Sequence, residues 1–211
     1  MNEKSTEFLY TYLNNASPTG FESSGQQIWL DYLKPYIDDY FVDTYGTAVG
    51  VINEGKPYKV VIEAHSDEIS WFVNYISDDG YIYVIRNGGS DAVIAPSMRV
   101  NLHTKKGVVK GVFGWPAIHV RELAKDTAPK VADLTIDVGA TTKQEVLDMG
   151  IHVGTVATFS DGLFELNNRY FVGRALDNRS GGCMIADVAR LLDENAINLP
   201  FTLYIVNSVQ E

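Results

Sequence analysis

Residues 170–193 read YFVGRALDNRSGGCMIADVARLLD, and this stretch decides the fold class. The apolar run Tyr170–Val172 predicts a strand. A helix follows over 177–193, with Met184, Val188 and Leu191 on one face and Ile185 and Leu192 beside it. A second apolar run, Phe201–Val206, comes next. The order strand, helix, strand predicts an α/β domain on a mostly parallel sheet. Asp177 stands where the strand gives way to the helix. A carboxylate there is either a plain N-cap or a metal ligand shared between two ions. Gly181-Gly182 is unusual in a first helical turn, where each glycine costs about 1 kcal/mol relative to alanine. Close approach of another backbone or a ligand is the expected compensation.

Upstream, residues 4–15 read as a helix with Phe8, Leu9 and Tyr12 on one face, and Pro18-Thr19-Gly20 breaks it. A second helix is expected over 22–36, with Pro35 favouring its end. Strands are expected at 40–44, 47–52 and 58–64. Lys59–Ala64, KVVIEA, is mostly apolar and β-branched, which predicts a strand covered on both faces. From Trp71 to Phe113 the chain reads as short strands with turns at 77–80, 87–90 and 105–107, and one helix is expected at 142–149. This texture predicts a small barrel or sandwich inserted into the α/β unit. The expected organisation is a discontinuous α/β domain, 1–69 plus 166–211, interrupted by a β-rich domain over 70–165.

The chain has 211 residues, enough for a substantial core, with 45% apolar and 21% charged residues. Its 17 basic and 27 acidic residues leave a net charge of −10 without a Lys/Arg cluster, which argues against nucleic acid and anionic membranes as partners. One cysteine, Cys183, excludes an internal disulfide and fits a reducing compartment. The N-terminal MNEKSTEFLY has no apolar signal core, and no apolar run approaches the roughly 20 residues that span a bilayer. A cytoplasmic protein is the expectation.

Ligands of open α/β sheets gather at the carboxyl ends of strands. His65 lies just past one expected strand, Glu211 just past another, and Asp177 in a strand–helix loop. A neutral imidazole is a good ligand for zinc or cobalt, and its other N–H normally goes to a carboxylate, a part that Asp67 can play. By itself, His65-Ser66-Asp67 is also an ordinary turn. Glu211 could serve as a base beside a water at a two-metal site, but taken by itself it reads as a frayed, solvated chain end. His103, His119 and His152 lack a paired carboxylate and read as structural or surface residues. Cys183 reads as a buried thiol rather than a nucleophile. Asp78-Asp79-Gly80 lacks the spaced oxygens of a calcium loop.

Taken in order, these stretches resemble the tetrahedral, or deblocking/glutamyl, aminopeptidases, a family of dinuclear metallopeptidases often labelled endoglucanases. EAHSDEIS at 63–70 resembles its first metal motif, A-H-x-D-E-[IV]; GRALDNRSGG at 173–182 resembles the second, ALD-[DN]-R-x-G; SVQE at 208–211 resembles the opening of the third, V-Q-E-E-[VI]-G. PTGFE at 18–22 and the segment 132–155 match further family stretches. The resemblance implies a phosphorylase/hydrolase-like three-layer α/β catalytic domain with an inserted β-barrel dimerisation domain. It implies two divalent ions, zinc or cobalt, a peptide substrate, and homo-oligomers from dimers up to dodecamers. His65 would bind one metal, Asp177 would bridge both, Asp67 would orient His65, and Glu211 would be the general base for the attacking water. The family's second glutamate and a later aspartate and histidine would fall beyond Glu211. The catalytic domain is therefore expected to be incomplete at its C-terminus, with Phe201–Val206 left as an unprotected strand edge unless something pairs with it, and with weak metal binding and an inactive fragment as one outcome. A non-catalytic pseudo-peptidase or assembly module is the alternative. A glycoside hydrolase-like activity is a further, less favoured alternative: it would need two carboxylates flanking a sugar site, and apart from the metal set none pairs that way.

Overall fold

The computed structural model describes residues 2–121 and 128–211. In chain order the elements are α1 (Glu3–Asn14), α2 (Ser23–Leu33), β1 (Asp39–Val42), β2 (Ala48–Ile52), β3 (Lys59–His65), β4 (Ser70–Ile76), β5 (Ile82–Asn87), β6 (Arg99–Thr104), β7 (Gly107–Gly114), β8 (Thr135–Asp137), α3 (Lys143–Asp148), β9 (Val156–Phe159), β10 (Phe164–Leu166), β11 (Tyr170–Val172), α4 (Leu176–Glu194) and β12 (Thr202–Ser208). The chain divides into two compact units, Met1–Glu68 with Gly162–Glu211, and Ile69–Asp161.

The first unit carries a four-stranded sheet in the order β1-β2-β12-β3. A tight turn joins β1 to β2, and Asp43 Oδ1 accepts hydrogen bonds from the backbone of Tyr45, Gly46 and Thr47 at 2.9, 2.8 and 3.0 Å. Such a turn forces an antiparallel pair. β12 is antiparallel to β2 and parallel to β3, with Ser208 beside His65. Only one strand pair of this sheet is therefore parallel, where the strand–helix alternation predicts mostly parallel pairing. Two further expectations are corrected here. Phe201–Val206 is not an unprotected edge, because β12 has a partner on each side. β3 is the outer strand instead, and it is not covered on both faces: Lys59, Val61 and Glu63 are exposed, Val61 by 60%. An apolar run that looks doubly buried here serves one buried face and one open one.

One core joins α1, α2 and α4 to the sheet through Phe8, Leu9, Tyr12, Leu13, Trp29, Leu30, Leu33, Ala48, Leu203 and Ile205. The described residues supply the sheet and a helical layer on one face. α1 starts at Asn2, whose side chain accepts from Ser5 N at 2.8 Å, a local N-cap. α4 turns a different face inward from the one its spacing suggests. Gly182, Cys183, Ala186 and Ala189 are buried, whereas Met184 is 68% exposed and Val188 and Leu191 also face outward. The small residues let α4 lie close against α1 and the sheet, which its bulky residues would prevent.

The second unit is a closed barrel in the order β4-β5-β8-β7-β6-β9, with all neighbouring strands antiparallel. Closure leaves no free edge. Its interior is filled by Trp71, Val73, Ile82, Val100, Leu102, Phe113, Leu134, Ile136 and Ala157. Trp71 and Phe113 meet edge-on with ring centroids 5.3 Å apart. The expected helix at 142–149 is α3, capped by Thr142, whose hydroxyl accepts from Glu145 N at 3.2 Å.

Candidate functional site

The parallel pair β3–β12 sets the site, because it brings the carboxyl ends of two strands side by side. His65 is the last residue of β3. The ladder continues one step further, Ser66 N donating to Ser208 O at 2.9 Å. Glu211 follows three residues after Ser208. An open cavity of about 410 Å³ lies here, lined by Glu63, Ala64, His65, Asn178 and the stretch from Ser208 to Glu211.

Asp177 reaches the same place from the start of α4. It is not a helix cap. Ala175 is left-handed at φ 58°, and Asp177 and Asn178 have non-helical dihedrals (φ −91°, ψ 111° and φ −120°, ψ 27°). The Asp177–Asn178 peptide is cis. No side-chain hydrogen bond caps the helix, and the Asp177 side chain is 95% exposed. The glycine pair has its explanation here too. A Cβ on Gly181 would lie 2.1 Å from Asn178 Oδ1 and 3.1 Å from Ala64 Cβ, and one on Gly182 would lie 3.1 Å from Asn207 Oδ1. The first turn of α4 is thus pressed onto β3 and β12, and only glycine allows the approach.

The imidazole of His65 is the centre of the group. Its Nδ1 lies 3.2 Å from Asp67 Oδ1. Its Nε2 lies 3.4 Å from Asp177 Oδ1 and 3.5 Å from Glu211 Oε2. Nε2 is buried and has no hydrogen-bond partner. A buried polar atom left without a partner costs free energy, about 1–3 kcal/mol for a lost hydrogen bond. An imidazole with its proton on Nδ1 would donate to Asp67 and turn its Nε2 lone pair toward the two carboxylates.

One imidazole nitrogen and two carboxylates are donor types that a divalent cation takes, but here they approach one another without forming a ligand set. Among the described residues no group of three or more His, Cys, Asp or Glu side chains is arranged to hold a metal ion.

Residues 46–211 match the family model described as M42 glutamyl aminopeptidase. The chain belongs to the M42 glutamyl aminopeptidase family. It is 31% identical to the lysyl aminopeptidase of Pyrococcus furiosus over 208 residues, 97% of this chain and 59% of that protein. Among solved structures, a TET aminopeptidase from a marine-sediment Thaumarchaeota archaeon superposes with a TM-score of 0.94 at 27% identity, covering 99% of this chain and 60% of that one. The Pyrococcus horikoshii TET1 peptidase, described as assembling into a tetrahedron or a large octahedral shell, gives a TM-score of 0.86 at 26% identity, over 98% of this chain and 61% of that one. The M42 chain thus spans about three-fifths of the length of these relatives.

Around the M42 motifs lies a buried polar scaffold that the sequence reading left out. Glu68 accepts from Ser17 N at 2.8 Å and pairs with Arg174 Nε at 2.7 Å and Arg179 at 3.6 Å. Arg179 is fully buried, donates to the carbonyls of Asn15 at 2.6 Å and of Tyr12, and lies 4.4 Å above the Tyr12 ring. Burial pushes its pKa down, though Tyr12 and Glu68 oppose this, and a guanidinium keeps its charge. The pair Glu68–Arg179 joins the segment of His65 to the segment of Asp177. Such a pair is weak evidence for stability and costly to break from one side. Glu68 adjoins Asp67 and Arg179 lies two residues after Asp177, but nothing in either short motif shows that the two side chains pair. Of the remaining histidines, His103 Nε2 contacts Thr158 Oγ1 at 2.9 Å and His152 Nδ1 contacts Val153 O at 2.8 Å. Cys183 is buried, and burial raises its thiol to about 12.

Proposed function

We propose that His65, Asp67, Asp177 and Glu211 are part of a two-metal aminopeptidase centre that removes N-terminal residues from peptides. The single observation that supports it best is the buried, unpartnered Nε2 of His65 facing the carboxylates of Asp177 and Glu211. His65 would hold one divalent ion, zinc or cobalt, and Asp177, with its exposed carboxylate, would bridge two. Such ions supply Lewis acidity toward the scissile carbonyl and make water a better nucleophile at neutral pH. The rest is the work of the chain. Asp67 keeps the His65 proton on Nδ1. Glu211 accepts the proton of the attacking water and can return it to the leaving amine.

A zinc site normally uses three or four protein ligands per ion, so these residues alone hold metal weakly, and fewer than two ions per chain are expected. Peptide is the proposed substrate, the cytoplasm the proposed compartment, and self-assembly through the inserted barrel the proposed quaternary state. The assembly reading is supported by the TET neighbours. Among the described residues no helix is long and apolar enough to cross a membrane.

Titration with Co²⁺, followed by visible absorption, tests the centre. His65→Ala and Asp177→Asn should each weaken binding by at least tenfold, and unchanged affinity in both variants sinks the proposal. Hydrolysis of aminoacyl-anilides with and without Co²⁺ then reads out activity, and Glu211→Gln should lower turnover much more than metal affinity.

A further inference from the structure

We propose that Thr19 is a positioning residue of this centre. Its hydroxyl holds the Asp67 carboxylate and through it sets the tautomer and the aim of the His65 ring. The inference rests on the two-metal reading for its purpose, but its geometry stands independently.

Asp67 is nearly buried, with its side chain 8% exposed, and both of its oxygens are committed. Oδ1 faces His65 Nδ1 at 3.2 Å and accepts from Glu211 N at 3.3 Å. Oδ2 accepts from Thr19 Oγ1 at 2.6 Å, the shortest bond in the group. A hydroxyl donating to an ionised carboxylate is a strong, short contact. It fixes the carboxylate about its Cβ–Cγ bond. Without it the carboxylate turns more freely, and the weaker contacts at Oδ1 no longer define one orientation. The His65 ring then loses its reason to keep the proton on Nδ1, and Nε2 is the atom that suffers.

The hydroxyl can do this because the backbone beneath it is held separately. Pro18 forms a parallel bridge with Glu68. Thr19 N donates to Glu68 O at 3.2 Å, and Glu68 N donates to Ser17 O at 3.0 Å. The carboxylate of Glu68 binds Ser17 N at 2.8 Å and the two arginines that flank Asp177 in sequence. The backbone of segment 17–19 is therefore stapled by main-chain bonds and by the Glu68 carboxylate, independently of the Thr19 hydroxyl. That hydroxyl makes its short bond to Asp67 at 2.6 Å and a longer contact to Glu68 O at 3.4 Å. Valine at this position has nearly the same shape and lacks only the donor.

The test uses the ¹⁵N-labelled chain without metal, comparing wild type, T19S and T19V, with circular dichroism confirming the fold. Long-range ¹H–¹⁵N correlation of the neutral imidazole reads which nitrogen of His65 carries the proton. Wild type and T19S should show the Nδ1–H form, and T19V a mixture of both forms. Co²⁺ affinity should fall about tenfold in T19V and stay near wild type in T19S, in line with the lower range for groups behind a metal ligand. The proposal is overturned if wild type already holds the proton on Nε2, or if T19V keeps both the tautomer and the affinity of wild type. If T19V does not fold, T19A replaces it in the same comparison. Failure of wild type to bind Co²⁺ at all would count against the two-metal reading, while the tautomer comparison would still decide the role of Thr19.

Discussion

At the residue scale the site depends on contacts that tolerate no extra atom. Gly181→Ala would place a methyl 2.1 Å from Asn178 Oδ1. Asn178 must move, and it is bonded directly to Asp177. The variant should stay folded, lose about 1–3 kcal/mol by overpacking, and bind Co²⁺ more weakly than wild type. Chemical denaturation and the cobalt titration measure the two effects apart. Cys183 gives a second check. With its thiol raised to about 12 by burial, it should resist alkylation at pH 8 in the native chain and react promptly in denaturant. Mass spectrometry after timed iodoacetamide exposure reads the result. The candidate ligands were legible from residue types at strand ends. Thr19, Glu68 and Arg179 were not, because their importance lies in contacts across 48 to 167 residues of chain that no local pattern displays.

Element by element, the helical layer is tied by a cluster around Asp187 on α4. Its Oδ1 accepts from Ser5 Oγ on α1 at 2.7 Å, Tyr32 OH on α2 at 2.6 Å and Arg190 Nε at 2.8 Å. Burial alone would raise the Asp187 pKa, but the bonds from Arg190, Tyr32 and Ser5 outweigh it and bring it from 3.8 to about 2. A carboxyl depressed in the folded state stabilises the fold above its unfolded pKa, and the benefit disappears as pH falls through the folded value. Stability should therefore drop by about 2 kcal/mol between pH 5 and pH 2 through this group, and Asp187→Asn should flatten that part of the profile. Urea midpoints across this range measure it. Element existence was readable from periodicity; orientation was not. In α4 Met184, Val188 and Leu191 mark the outward face, and the alanines and glycine that face inward carry little hydrophobic signal. In β3 an apolar run looked doubly covered, because a sequence window does not show which strand stands at the outside of a sheet.

For the whole molecule the relevant fact is two separate cores. The barrel has its own interior, and the α/β unit has another. Ile136→Ala empties a fully buried position in the barrel and should cost about 2–5 kcal/mol there. Hydrogen exchange should show protection lost in residues 69–161 and kept in α4 and β12. Equal loss in both units would show that they unfold as one. The insertion was legible as a change of texture, from helix-and-strand alternation to short strands with turns. Texture alone left barrel and sandwich open, because the closing pair of β4 with β9 joins strands from its two ends; the family resemblance supplied the barrel, and the structure closes it.

The hydrogen bond from the Ser208 hydroxyl to Ala64 O spans 144 residues, with the barrel made in between. On the ribosome, which works from the N-terminus, His65 and its orienting threonine emerge early and the carboxylates of Asp177 and Glu211 last. A half-made chain thus offers a passing cation a single imidazole and little reason to stay. On the proposed two-metal reading, metal loading would wait until the barrel has been synthesised, sparing the nascent chain from capturing ions before its fold can hold them. Nascent chains arrested before Arg174 should accordingly take up no Co²⁺, and longer ones should begin to.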